Sequence, residues 1–304
     1  MERHKTAFIF PAFVREYIGS ETDTVYSLNG NLDELLEKAS RAVDPELIHF
    51  NIHNNHFIDD ELRSQYIAYI YSCCISDILQ KKGIIPDYVA GYSMGLYAAL
   101  YHCKSIDFET GLKLICNAFR IIHKYTNGKV YGMGVIGGLE RDDIEKLRDK
   151  YAPAVEVINK NSTRTYVISG PAGEIHQFLE QALNEGAMHS KLLNVTSPYH
   201  SSFLDKASAA FAEYLEHIEI RAPENFVVSA IDQRPVNSID MVKEELIDNI
   251  HSKIHWYKTF CFMLDKDVKT FIECGAGKTL YKISRFIDGD FKVYPITKLS
   301  SIIG

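Results

Sequence analysis

The run Tyr88-Val-Ala-Gly-Tyr-Ser-Met-Gly-Leu-Tyr97 constrains the fold of this chain more than any other stretch. It contains Gly91-Tyr92-Ser93-Met94-Gly95, a G-x-S-x-G set between a short apolar run after Pro86 and a helix-like run over 96–100. A strand that turns sharply into a helix around a serine lifts the hydroxyl clear of the sheet, and the flanking glycines admit the tight backbone. The helix that follows aims its free N–H groups and positive dipole end at any oxyanion formed there. A bare G-x-S-x-G is common by chance. The strand, the turn and the helix together mark Ser93 as the candidate nucleophile.

At 304 residues the chain can hold one large α/β domain, or a large one with a small companion, and 46% apolar residues supply an ordinary core. A formal charge of −7 without a Lys/Arg block argues against a nucleic-acid partner, while leaving room for a local basic patch that meets an acidic one. Cys73, Cys74, Cys103, Cys116, Cys261 and Cys274 lie in apolar runs without regular spacing and read as buried, reduced thiols of an intracellular protein. Met1-Glu-Arg-His-Lys5 leads into only about six apolar residues, too few for a signal peptide or membrane span. A soluble cytoplasmic protein without membrane contact is expected.

Hydrophobic periodicity gives a buried first strand at 7–10 and helices at 33–43, 60–81 and 107–124 around the elbow. The stretch 130–193 changes rhythm: strand 130–136, helix 141–150, strands 155–158 and 165–169, helix 171–184, strand 190–193. Pro171 suits a first helical turn, Ile175, Phe178, Leu179, Ala182 and Leu183 share one face, and Gly186 stops the helix. Strand-helix-strand-strand-helix-strand is the order of a ferredoxin-like unit. The first rhythm then resumes, with helices at 201–218, 241–254, 256–264 and 278–287 and strands at 226–231, 270–273 and 292–296.

Ser93 requires a base, and twelve histidines are available. His200 is the best placed, in Asn194-Val-Thr-Ser-Pro-Tyr-His-Ser-Ser-Phe203, straight after an expected strand and before a helix, where active-site loops at sheet ends lie. On the residues alone, a histidine that merely flanks a helix stands beside that reading.

The elbow, this histidine loop and Phe271-Ile-Glu-Cys-Gly-Ala-Gly-Lys-Thr-Leu280 occur in the order seen in the acyl-carrier-protein acyltransferases, which the chain resembles over nearly its whole length. That family comprises the malonyl-CoA:ACP transacylases of fatty acid synthesis and the acyltransferases of polyketide synthases. Asn159-Lys-Asn-Ser162, Tyr166-Val-Ile-Ser-Gly170, His255-Trp256 and Gln65 resemble further family segments. The resemblance implies an α/β fold: an α/β-hydrolase-like core over 1–128 and 196–304 with an inserted ferredoxin-like (βαββαβ) subdomain over 129–195. It implies that Ser93 attacks a thioester carbonyl while His200 takes its proton and returns it to the leaving thiol. A backbone carbonyl near Asn249 would steady the histidine in place of an acid, and the Met94 amide would be an oxyanion donor. Asn161 would belong to the acyl pocket. No bound cofactor is implied; acyl-CoA or acyl-phosphopantetheine is the substrate and an acyl carrier protein the partner.

Three departures from the family pattern bear on the substrate. The family's first strand runs into Phe-Pro-Gly-Gln-Gly, with its Gln at the oxyanion hole, whereas this chain has Phe10-Pro-Ala-Phe-Val14, so that Phe13 replaces the Gln and only a backbone donor remains. Malonyl-using members carry an Arg on the helix after the elbow, whose fork pairs with the free carboxylate. Ala118 takes that position here, and Arg120 lies about 200° round the helix from it. Tyr92 and Leu96 replace the usual His and Glu flanking the nucleophile. An unpaired malonyl carboxylate would be costly to bury, so a pocket with Tyr92, Leu96 and Ala118 should favour neutral acyl groups, as in divergent members that include polyketide-pathway acyl hydrolases. Thioester hydrolysis, ordinary malonyl transfer, general carboxylester hydrolysis and an inactive carrier-binding subunit are the alternatives.

Two other patterns are set aside. His49/His53/His56 and His251/His255 have helical metal-ligand spacing but lack the H-E-x-x-H glutamate. Gly275-Ala-Gly-Lys-Thr279 resembles the end of a phosphate loop, but a Walker motif needs glycine where Ile272 stands. The 34 Tyr and Phe residues read as core in so acidic a chain.

Overall fold

The computed structural model describes residues 4–12, 17–54 and 56–303. Ten strands are found there: β1 (Lys5–Phe10), β2 (Tyr88–Gly91), β3 (Tyr131–Gly137), β4 (Glu156–Ser162), β5 (Thr165–Pro171), β6 (His189–Leu193), β7 (Val227–Val228), β8 (Pro235–Val236), β9 (Val268–Glu273) and β10 (Lys292–Tyr294). They form two sheets in an α/β protein. The chain divides into two compact units, the first of residues 1–117, 218–242 and 259–304, the second of residues 118–217 and 243–258. The second is wider than the expected 129–195, because the histidine loop, the helix after it and the segment 243–258 pack with the inserted sheet.

In the first unit the strand order is β10-β9-β1-β2-β7-β8, parallel throughout except for the β7–β8 pair. The central β1 is apolar without alternation, and Ala7, Phe8, Ile9 and Phe10 are wholly buried, as a strand covered on both faces requires. The helix Glu61–Lys81 begins at Asp60, whose carboxylate accepts the Arg63 N–H at 2.8 Å. It ends at Gly83, in the left-handed region at φ 72°. Nearly every side chain between is buried, which explains why its apolar surface is broad in the sequence.

In the second unit an antiparallel sheet runs β4-β5-β3-β6. Ile136, Ile144, Leu147, Ile168, Ile175 and Phe178 form the core between this sheet and the helices Arg141–Tyr151 and Ala172–Asn184. The strand-helix-strand-strand-helix-strand order matches the sequence reading. Three details differ. Pro171 is the last residue of β5 and the N-cap of the helix, at φ −56° and ψ 132°, because its carbonyl side still pairs with β3. Leu183 is 51% exposed; the buried stripe 175/178/179/182 is narrower than expected. β4 continues to Ser162, so Asn159 and Asn161 lie in a strand.

Local pattern also missed several short elements: the helices Glu21–Ser27 and His56–Asp59, the 3₁₀ turn Pro45–His49, and β8. Each is too short to display a period. Among the described residues, five cysteines are buried and Cys261 is half-buried, all free, and no helix is long and apolar enough to cross a membrane.

Candidate active site

The elbow is built as the glycines imply. β2 ends at Gly91, the Tyr92 N–H donates to the Phe10 carbonyl at 2.8 Å, and the helix Gly95–His102 starts two residues after Ser93. Ser93 sits in the left-handed region at φ 53°, which costs a non-glycine residue about 1–2 kcal/mol. The glycines are steric necessities: a Cβ on Gly91 would meet the Leu96 backbone, and one on Gly95 would meet the Phe10 carbonyl. Gly95, Leu96 and Tyr97 donate their N–H groups to Tyr92, Ser93 and Met94. Met94, the residue after Ser93, is the N-cap of the helix Gly95–His102, and N–H groups at a helix start can receive a developing oxyanion. Ser93 is half-buried.

A small cavity of about 10 Å³ lies behind the elbow, bounded by Met94, Gly95 and Ala98, by Pro11, by Ile115, and by Gln65, Ala68, Tyr69 and Ser72. The last four follow the i, i+3, i+4, i+7 rule along one helix face, a signal the sequence contains but that says nothing of what the face meets. Tyr92 and Leu96 are not in its wall; Leu96 is buried in the core at 3% exposure. Phe13 lies outside the described residues.

The second unit carries His200. It too is left-handed, at φ 61°, and its N–H donates to the Ile250 carbonyl at 2.9 Å. That carbonyl belongs to the helix Ile239–His251, one residue after the buried Asn249. Burial drives the His200 imidazole down to about 4, and the Ser252 backbone carbonyl opposes this by accepting a hydrogen bond. The carbonyl that bears on the ring charge is thus three residues beyond the expected Asn249. In the same unit Asn159 donates to the Asn161 side-chain oxygen at 2.6 Å and accepts the Trp256 N–H at 3.1 Å, while Ile254 bridges to Asn159. The Asn-x-Asn pair therefore fastens the segment that follows Ser252. Ala118 is buried at 4% exposure, and Arg120, as its helical phase required, is exposed.

Two of the other histidines have side-chain partners. His56 meets Arg63; His251 meets Asp205 at 2.8 Å and Asp248 at 3.6 Å. His255 is half-buried, and burial, then Lys258, Arg141 and Lys253, hold its imidazole below the usual range. No group of three His, Cys, Asp or Glu is placed to hold a metal among the described residues. After β9 the buried Glu273 carboxylate accepts the Leu280 and Tyr281 N–H groups, each at 2.9 Å. A carboxylate thus occupies the helix start that a phosphate loop would offer to its ligand.

Comparison with known proteins decides the family. The acyl transferase domain family matches residues 69–284, well over half of the chain. The chain belongs to that family. The acyltransferase is 25% identical over 309 residues to the malonyl CoA-acyl carrier protein transacylase of Staphylococcus aureus (strain MRSA252), covering 99% of this chain and 98% of that one. It is 28% identical over 276 residues to the polyketide biosynthesis malonyl CoA-acyl carrier protein transacylase PksC of Bacillus subtilis (strain 168), covering 90% and 92%. Among solved structures, a type II polyketide synthase malonyl-transacylase in complex with its acyl-carrier protein superposes with a TM-score of 0.87 at 22% identity over 98% of each chain, which shows a shared fold.

Proposed function

We propose that this acyltransferase moves a neutral, non-malonyl acyl group between CoA and carrier-protein thioesters through an acyl-Ser93 ester. Ser93 Oγ attacks the thioester carbonyl as His200 accepts its proton. The Met94 N–H takes the oxyanion; on collapse the C–S bond breaks and His200 protonates the departing thiolate. The same steps in reverse, with a phosphopantetheine thiol of an acyl carrier protein, complete the transfer; water in its place gives hydrolysis. The neutral imidazole suits the first step, and its low affinity for the proton suits the last. The names of the two relatives above, both malonyl CoA-acyl carrier protein transacylases, support the carrier-protein partner and a biosynthetic setting.

The observation that supports the non-malonyl reading is the burial of Ala118, the residue that the resemblance aligns with the arginine of malonyl-using members, together with the exposure of Arg120. A carboxylate brought there would lack its bidentate partner. The parallel sheet with its elbow further supports an α/β-hydrolase-like core. The central placing of β5 and β3 within β4-β5-β3-β6 supports a ferredoxin-like subdomain.

Intact-protein mass spectrometry after separate incubation with malonyl-CoA and acetyl-CoA, with Ser93→Ala as control, tests the reading. An acetyl adduct that requires Ser93, without a malonyl adduct, is expected. A Ser93-dependent malonyl adduct would return the protein to ordinary malonyl transfer. Failure of Ser93 to react with any thioester would leave a carrier-binding subunit.

A further inference from the structure

We propose that the cavity behind the elbow receives the acyl chain and that its size limits Ser93 to a two-carbon neutral group, acetyl. This rests on the acyl-transfer reading above and goes beyond it by naming chain length and the residues that set it.

Met94 supplies both the amide expected at the oxyanion and part of the cavity wall. An ester on Ser93 Oγ whose carbonyl oxygen faces that amide therefore starts its chain at the cavity's rim. The space of about 10 Å³ is that of one water-sized group, so the methyl of an acetyl already fills it. Among the described residues the lining includes no charged side chain; Gln65 and Ser72 are neutral.

Tyr69, one wall of the cavity, is held from three directions. Its hydroxyl donates to the Phe108 carbonyl at 3.2 Å, its ring stacks on Phe108 at 5.5 Å between centroids, and Gly111 leaves the hydroxyl room that any Cβ would remove. Ile115, at 1% exposure, closes the side formed by the next helix. A longer chain would have to displace one of these packed groups, and close-packed interiors yield reluctantly. The chemistry is unchanged: the Oγ–C bond forms, the C–S bond breaks, and the proton leaves Oγ through the base to the thiolate.

The test uses the full chain with acetyl-, butyryl- and hexanoyl-CoA, reading the rate of adduct formation at Ser93. Acetyl should outpace butyryl by ~10-fold or more, the usual scale for a pocket discriminating by methylenes. Ile115→Ala should narrow that ratio by ~10-fold. Ile115→Val, a gentler truncation, should shift it the same way if the alanine variant does not fold. Equal rates for acetyl and hexanoyl, or a ratio that neither variant moves, would overturn the proposal. Methyl and octyl fluorophosphonates separate the two readings because they label a serine nucleophile without any thioester. Preference for methyl with no thioester reaction keeps the cavity and removes the acyl-transfer reading. Equal labelling by both removes the cavity.

Discussion

Ser93 and His200 are both left-handed residues without a glycine's freedom, but they are held there by different means. Around Ser93 the constraint is local. Gly91 and Gly95 stand two residues to either side, and the turn closes through hydrogen bonds between near neighbours. Around His200 the constraint is remote: its N–H reaches Ile250, fifty positions along, and burial sets the ring's basicity. A short motif can therefore announce the proposed nucleophile, whereas the environment of the proposed base depends on packing assembled from distant parts of the chain.

The largest effects should come from the elbow. Ser93→Ala is expected to abolish the acyl adduct altogether by mass spectrometry. His200→Ala should slow acylation by ~10²–10⁴-fold, the range of a general base. A smaller difference between the two would weaken the assignment of separate nucleophile and base.

Stability should show the same contrast. Gly95→Ala, with its Cβ driven against the Phe10 carbonyl, is expected to lose about 3 kcal/mol or more in a urea titration, because backbone cannot yield as a side chain can. Asn159→Leu, which removes the acceptor of the Trp256 N–H, should cost about 1–3 kcal/mol. It should also lower the acylation rate if that contact helps to hold the segment bearing on His200. An unchanged rate in a folded Asn159→Leu protein would show that the histidine loop is held without it.

The pH response sets groups of opposite sign against each other. His200, lowered to about 4 from 6.5, should keep acylation active well below the ordinary histidine range, with loss as the pH approaches 4 and the ring takes a proton. His102, buried in the first unit and bonded to Ser76 at 2.7 Å, is also lowered to about 4. Both groups are neutral when folded, so the unfolded chain takes up protons first as the pH falls below 6.5. Their contribution, each up to about 3 kcal/mol, is complete above 6.5 and lost as the pH falls to 4. Glu273 acts with the opposite sign. Burial raises it to about 7 against the pull of three backbone N–H groups, and the advantage of its neutral form is lost as the pH rises from 4.5 through 7. Urea midpoints of wild type and His200→Gln between pH 4 and 7 should diverge toward neutrality, with the variant rising less.

The smallest effect is also the most specific. Ser93→Gly should be more stable than Ser93→Ala by about 1 kcal/mol, since glycine relieves the left-handed strain and alanine keeps it. His200→Gly against His200→Ala should show the same sign. A null difference at Ser93 would mean that the elbow is not strained.

Much of this was legible beforehand. The long helix Glu61–Lys81, the six-element order of 131–193 and the buried β1 all carry periods or runs long enough to read. The single turn His56–Asp59 and the two-residue β8 do not, and Leu183 lies one step past the face that the core covers. At the site, the resemblance singled out Gln65, but nothing local marked Tyr69, Ser72 or Ile115 as its neighbours. Their residue types are those of any buried helix.

The sequence by itself determined the elbow that carries the proposed nucleophile, because a glycine-flanked serine between strand and helix has few backbone solutions. Its helical phase also determined that Ala118 is buried while Arg120 is exposed. Tertiary structure alone decided which carbonyls bear on His200, that Glu273 fills the helix start after β9, and that Tyr69 and Met94 line one cavity. Those features depend on distances between residues far apart in the chain, and such distances exist only once the core has packed.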